Sequence, residues 1–136
     1  MSLLKKDLTS ITDLDFEDVQ SLLDMAHRMK KDRYLCSNAV RRRTMALVFE
    51  KPSLRTRVTF EAAMFEMGGY AIYLAPGDIG LGKRESVPDT ARNLARWVDV
   101  IVARTFAHDS IRGLAEYASI PVINALSDDE HPCQAL

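Results

Sequence analysis

The sequence predicts an α/β fold, a three-layer α/β/α sandwich on a four-stranded, doubly wound parallel sheet. Short, almost wholly apolar runs recur along it, the pattern of strands covered on both faces. They alternate with stretches of helical periodicity, and proline, glycine or aspartate marks the junctions. The 136 residues, 47% hydrophobic and 27% charged, suffice for one core and argue against disorder.

Asp15 reads as an N-cap. Phe16, Val19, Leu22, Leu23, Ala26 and Met29 then follow helical spacing to about Lys31. Acidic Glu17 and Asp18 at the start and basic Arg28, Lys30 and Lys31 at the end suit the helix dipole. Thr44 to Phe49 is the first strand. Pro52 breaks the chain, and a helix is expected from about Ser53 to Met67, stopped by Gly68 and Gly69. Tyr70 to Leu74 is a second strand, followed by a loop from Ala75 to Ser86 and a helix from Pro88 through Trp97, with Ala91, Leu94 and Val98 on one side. Asp99 to Ala103 is a third strand. Asp109 is expected to cap a short helix that turns Ile111, Leu114 and Ala118 inward, and Pro121 to Asn124 form a fourth strand.

The net charge of −1 hides an asymmetry. Ten Lys/Arg lie between Arg28 and Arg57 against only Asp32 and Glu50, while the remainder carries eight basic and seventeen acidic residues. One concentrated positive region suits a small anion better than a long polyanion, and the ten aromatics do not interleave with the arginines, so no nucleic-acid partner is expected. Arg41-Arg42-Arg43 reads as a solvated turn before a strand, and His27 as solvent-facing. No apolar run is long enough to span a bilayer and no leader-like greasy stretch opens the chain. Two cysteines 97 positions apart fit a reduced, cytoplasmic protein, and no metal spacing is present.

In parallel sheets ligands bind beyond the carboxyl ends of the strands. That rule selects four segments: 50–57, 75–86, 104–108 and 125–134. In the first, Ser53, Arg55, Thr56 and Arg57 stand at a strand-to-helix junction, where free backbone N–H groups, hydroxyls and a planar guanidinium can grip an oxyanion. Helix capping by Ser53 with two surface arginines is the plain alternative. Arg104 directly follows an apolar strand and needs either an anion or a carboxylate such as Asp99 or Asp109. His131 and Gln134 are three apart beside Pro132, on one face of a helical first turn, where they could donate to a carbonyl oxygen or merely cap and solvate. Gly77 to Lys83 fits seven places of a P-loop, but Arg84 stands where Ser or Thr should hold magnesium. No nucleophile is paired with a base.

Together these motifs resemble the aspartate/ornithine carbamoyltransferase family. The resemblance rests on 49–57 (Phe-Glu-Lys-Pro-Ser-Leu-Arg-Thr-Arg), Glu85-Ser86 with Asp89-Thr90-Ala91, Val102-Ala103-Arg104-Thr105, and Asn124 to Asp128 leading to His131-Pro132-Cys133-Gln134. Cys133 and the Phe49-Glu50-Lys51 lead-in favour ornithine over aspartate as acceptor. The resemblance implies that residues 1–136 form a carbamoyl-phosphate-binding domain, that the amino-acid-binding second domain is absent from this chain, and that the parent enzyme is a homotrimer without cofactor. It further implies that Ser53, Leu54 (through its backbone), Arg55 and Thr56 hold the phosphate. Arg104, His131 and Gln134, with Thr56, would surround the carbamoyl group, and Arg55, Arg104 and His131 would be catalytic. Leu54 replaces the family's usual threonine, and Gly80 stands where the family commonly has glutamine or histidine. Transfer to another amine, such as putrescine or a modified ornithine, and a non-catalytic phosphate- or nucleotide-binding domain are the alternatives.

Overall fold

The apolar runs fold as four parallel strands: β1 Thr44–Phe49, β2 Tyr70–Leu74, β3 Val100–Arg104 and β4 Val122–Leu126. This is a computed structural model, and it describes residues 7–136. The strand order is β2-β1-β3-β4. Among the described residues six α-helices accompany the strands: α1 Phe16–Lys31, α2 Leu54–Glu66, α3 Pro76–Ile79, α4 Val87–Leu94, α5 His108–Tyr117 and α6 Pro132–Ala135.

Alternation along the strands divides the core in two. Met45, Leu47, Phe49 and Val102 face Phe60 and Met64 of α2, whereas Ala46, Val48, Ile101, Ala103 and Val122 face Ala91 and Leu94 of α4 and Ile111 and Leu114 of α5. The predicted α/β/α layering is therefore present, with α2 on one face and α4 and α5 on the other. The chain winds from β1 outward to β2, then returns past β1 to β3 and on to β4. The reversal falls between β1 and β3, where the connections leave on opposite faces and open a crevice at the carboxyl ends. Phe49 and Arg104 are register partners at that point.

Asp15 caps α1 as expected, its carboxylate accepting from Asp18 N at 2.8 Å. The apolar stripe of α1 is less covered than its periodicity suggests, with Phe16 exposed and Leu22 and Leu23 half-buried. Arg41–Arg43 lie in the turn before β1, and Arg43 pairs with Asp99 at 2.6 Å. Outside the expected loop character of 75–86, the short α3 forms because Asp78 accepts from Ala75 N at 2.6 Å. Asp109 does not cap α5. It sits inside the first turn, Ala107 takes the cap position, and Asp128 accepts from His108 N at 2.7 Å. Local sequence could not reveal that cap, because its acceptor comes from 20 residues away. Helix α4 starts at Val87, capped by Ser86, and ends at Leu94, earlier than Trp97.

β4 also runs past Asn124 to Leu126. Beyond its outer edge, Leu8 forms a parallel bridge with Ile123. Its N–H donates to Val122 O at 2.9 Å, and its carbonyl accepts from Asn124 N at 2.8 Å. A single turn at Ile11–Asp13 follows.

Candidate functional site

Pro52 ends the extended chain after β1, and Ser53 opens α2. Its Oγ accepts from Thr56 N at 3.4 Å and donates to Thr56 Oγ1 at 3.0 Å. That arrangement leaves the N–H groups at the start of α2 free of helical partners and turned to the carboxyl end of the sheet. Leu54 is the first helical residue; it is 79% exposed and is not among the residues that line the hollow bordered by Ser53 and Thr56.

From β3, Arg104 reaches across the crevice and donates from Nη1 to Thr56 Oγ1 at 3.3 Å. It pairs with neither carboxylate that might have neutralised it: Asp99 is taken by Arg43, and Asp109 lies beside Arg112 at 3.7 Å. The Nε of Arg104 is buried without a hydrogen-bond partner among the described residues. Arg55 likewise has no carboxylate partner there, in contrast to Arg57, which pairs with Glu61 at 3.0 Å.

From β4, His131 occupies the cap position of α6, with Pro132 in its first turn, and Gln134 N donates to His131 O at 3.0 Å. Burial, and secondarily the positive charge of Arg104, hold the His131 imidazole below the ordinary histidine range. A neutral ring can still donate one N–H. Its Nδ1 is buried and unpartnered among the described residues.

Ser53, Arg55, Thr56, Arg104, His131 and Gln134 thus border one open hollow of about 460 Å³. Arg55 and Arg104 both line it, and no carboxylate among the described residues does. Thr59 and Phe60, outside the four selected segments, also line it, as do Leu126 and Cys133, which fall within 125–134 but to which the sequence assigns no site role. Phe60 had a detectable signal, as a helical position one turn beyond Thr56, whereas Leu126 enters only because β4 is longer than its apolar run. Burial raises the Cys133 thiol above its usual range, keeping it protonated, and its Sγ donates to Asn124 O at 3.5 Å.

The other glycine-rich candidate is built differently. Lys83 does not open a helix. Gly80 and Gly82 take positive φ values of 59° and 72° in a turn, and α4 starts only at Val87. A P-loop requires the helix to follow the lysine directly. Among the described residues no group of three or more His, Cys, Asp or Glu is placed to hold a metal, and no helix is long and apolar enough to cross a membrane.

The family profile described as aspartate/ornithine carbamoyltransferase, carbamoyl-P binding domain, matches residues 6–136. An ornithine carbamoyltransferase from Cenarchaeum symbiosum is 50% identical over 136 residues, covering 100% of this chain and 45% of the relative. The structure of ornithine carbamoyltransferase from Pyrococcus furiosus superposes with a TM-score of 0.95 at 43% identity, covering 99% of this chain and 44% of that one. An N-acetyl-L-ornithine transcarbamylase superposes with a TM-score of 0.86 at 30% identity, over 95% of this chain and 45% of that one. The chain spans a little under half the length of these relatives. Matching the family profile over residues 6–136 and sharing the fold and up to half of its residues with such proteins, this chain belongs to the aspartate/ornithine carbamoyltransferase family and corresponds to its carbamoyl-P binding domain.

Proposed function

We propose that the hollow binds carbamoyl phosphate and that this chain supplies the carbamoyl-phosphate half of a carbamoyl transfer to ornithine, yielding citrulline and phosphate. The observation that carries the reading is the meeting of Arg55 and Arg104, neither neutralised by a carboxylate among the described residues, with the amino end of α2. Such a site is costly to assemble without an anion, because like charges repel and a buried Nε lacks a partner.

Bound there, the phosphate lies on the N–H groups of Leu54 and Arg55, the Ser53 and Thr56 hydroxyls and the Arg55 fork. The carbamoyl oxygen then meets Arg104, His131 and Thr56, and Gln134 borders the carbamoyl amide. When an uncharged amine attacks the carbonyl carbon, negative charge builds on that oxygen. The C–O bond to phosphate breaks with its electron pair leaving on phosphate, and the attacking nitrogen releases a proton. The substrate brings its own leaving group, so the residues act by orientation and by stabilising charge. A neutral His131 donates to the oxyanion without adding a third cation before the substrate arrives.

The acceptor site lies outside this hollow. The relatives named for ornithine and the one named for N-acetyl-L-ornithine share this domain's fold. Acceptor choice therefore belongs to the further domain we assign to the parent enzyme, and we expect residues 1–136 alone to be inactive. A homotrimer and a cytoplasmic setting complete the reading, the latter supported by free thiols at Cys36 and Cys133. Isothermal calorimetry tests it: carbamoyl phosphate should bind and ATP with magnesium should not. Tight ATP–magnesium binding would favour the nucleotide alternative, and turnover of ornithine by this chain would remove the need for a second domain.

A further inference from the structure

We infer that Asn124, which touches no substrate in the reading above, is a positioning residue: its buried amide sets the loop that presents His131 and Gln134, and so governs recognition of the carbamoyl group. The inference rests on that reading of the hollow.

Asn124 is fully buried at 0% exposure. Its register partner is Ala103, but the next pairing joins Arg104 to Leu126, so the ladder skips Ala125. The skipped residue leaves the N–H of Leu126 turned back on its own strand, and Asn124 Oδ1 accepts from it at 2.9 Å. Leu126 takes a φ of 149°, a conformation that residues with side chains rarely adopt and that persists only when its surroundings enforce it. On the other side of the amide, Nδ2 donates to Thr9 O at 2.9 Å and to Glu130 O at 3.2 Å, with Ser127 Oγ at 3.4 Å. The backbone carbonyl of Asn124 accepts the Cys133 thiol. One residue therefore fixes both ends of the 126–130 loop and the helix beyond it.

The consequence for the site is directional. Arg55, Ser53 and Thr56 hang from β1 and α2, and among the described residues none of them bonds to Asn124 or to the 126–130 loop. His131 and Gln134 hang from it directly, since Glu130 immediately precedes His131. An amide polarises the strained turn at one end and grips Glu130 at the other, a pairing that neither aspartate nor an apolar residue reproduces.

The test measures binding of inorganic phosphate and of carbamoyl phosphate to the 136-residue chain and to two variants, Asn124→Asp and Ser127→Ala. Asn124→Asp keeps the acceptor for Leu126 N and turns the donor into an oxygen that faces three oxygens. Ser127→Ala removes a hydroxyl that accepts from Glu130 N at 3.1 Å and leaves the Asn124 side chain in place. Both variants should weaken carbamoyl phosphate relative to phosphate, by about tenfold for Asn124→Asp and less for Ser127→Ala. If Asn124→Asp fails to fold, the ratio in Ser127→Ala alone decides. A purely structural role would lower both affinities together. An unchanged ratio in the folded variants overturns the role of Asn124, whereas a wild type that binds neither ligand overturns the reading of the hollow itself.

Discussion

Arg104 Nη1 lies 3.3 Å from Thr56 Oγ1, so the end of β3 and the first turn of α2 are joined by a donor and an acceptor that both face the same hollow. The contact bridges 48 residues of sequence and spans the point where the sheet reverses its winding. It orients a guanidinium that no carboxylate among the described residues holds.

Replacing Arg104 or Arg55 by alanine should weaken carbamoyl phosphate binding by about ten- to a hundredfold each, the range for losing a hydrogen bond to a charged group. Calorimetry reads the loss. Stability should change little for Arg55→Ala, an exposed side chain, and Arg104→Ala should not destabilise strongly, because it removes an unpaired buried Nε.

His131 gives the site a pH signature. Its folded pKa is held below the ordinary value of about 6.5, so the unfolded chain binds the proton more readily. The wild type should therefore lose stability relative to His131→Gln as pH falls from 6.5 toward the lowered value, with no difference of this origin above pH 7. Urea unfolding across that range checks the sign. NMR titration of the ring should show its pKa rising when phosphate occupies the hollow, since an anion favours the charged imidazole.

Ser53→Ala should cost about 1 kcal/mol of stability as a lost helix cap. Because the same hydroxyl orders Thr56 and faces the hollow, binding should fall as well. Thermal unfolding and calorimetry on one preparation separate the two effects.

Gly80→Gln should destabilise by about 1–2 kcal/mol. Gly80 has a φ of 59°, and a Cβ there would lie 3.0 Å from Arg84 Cβ. The midpoint of denaturant unfolding measures this. An unchanged midpoint would mean that the turn tolerates the side chain.

What the sequence determined by itself was the alternation of strand and helix and the segments facing the strands' carboxyl ends. The apolar runs at 44–49 and 99–103 read as covered strands, and the Pro52-Ser53 junction as a helix start, because these choices depend on neighbours a few residues away. Tertiary structure decided the rest. Whether Arg104 would pair with Asp99 or stand open was undecidable from spacing, since the outcome depended on Arg43 claiming Asp99 across 56 residues. The cap of α5 came from Asp128 and not from Asp109, and the apolar stripe of α1 stayed half uncovered. Asn124 looked like the last residue of a short strand, and only the skipped pairing at Ala125 showed that its amide carries the loop to His131. Local chemistry names the groups that can act on an anion. The winding of the sheet, which brings β1 beside β3 and β4 beside β3, decides which of them meet.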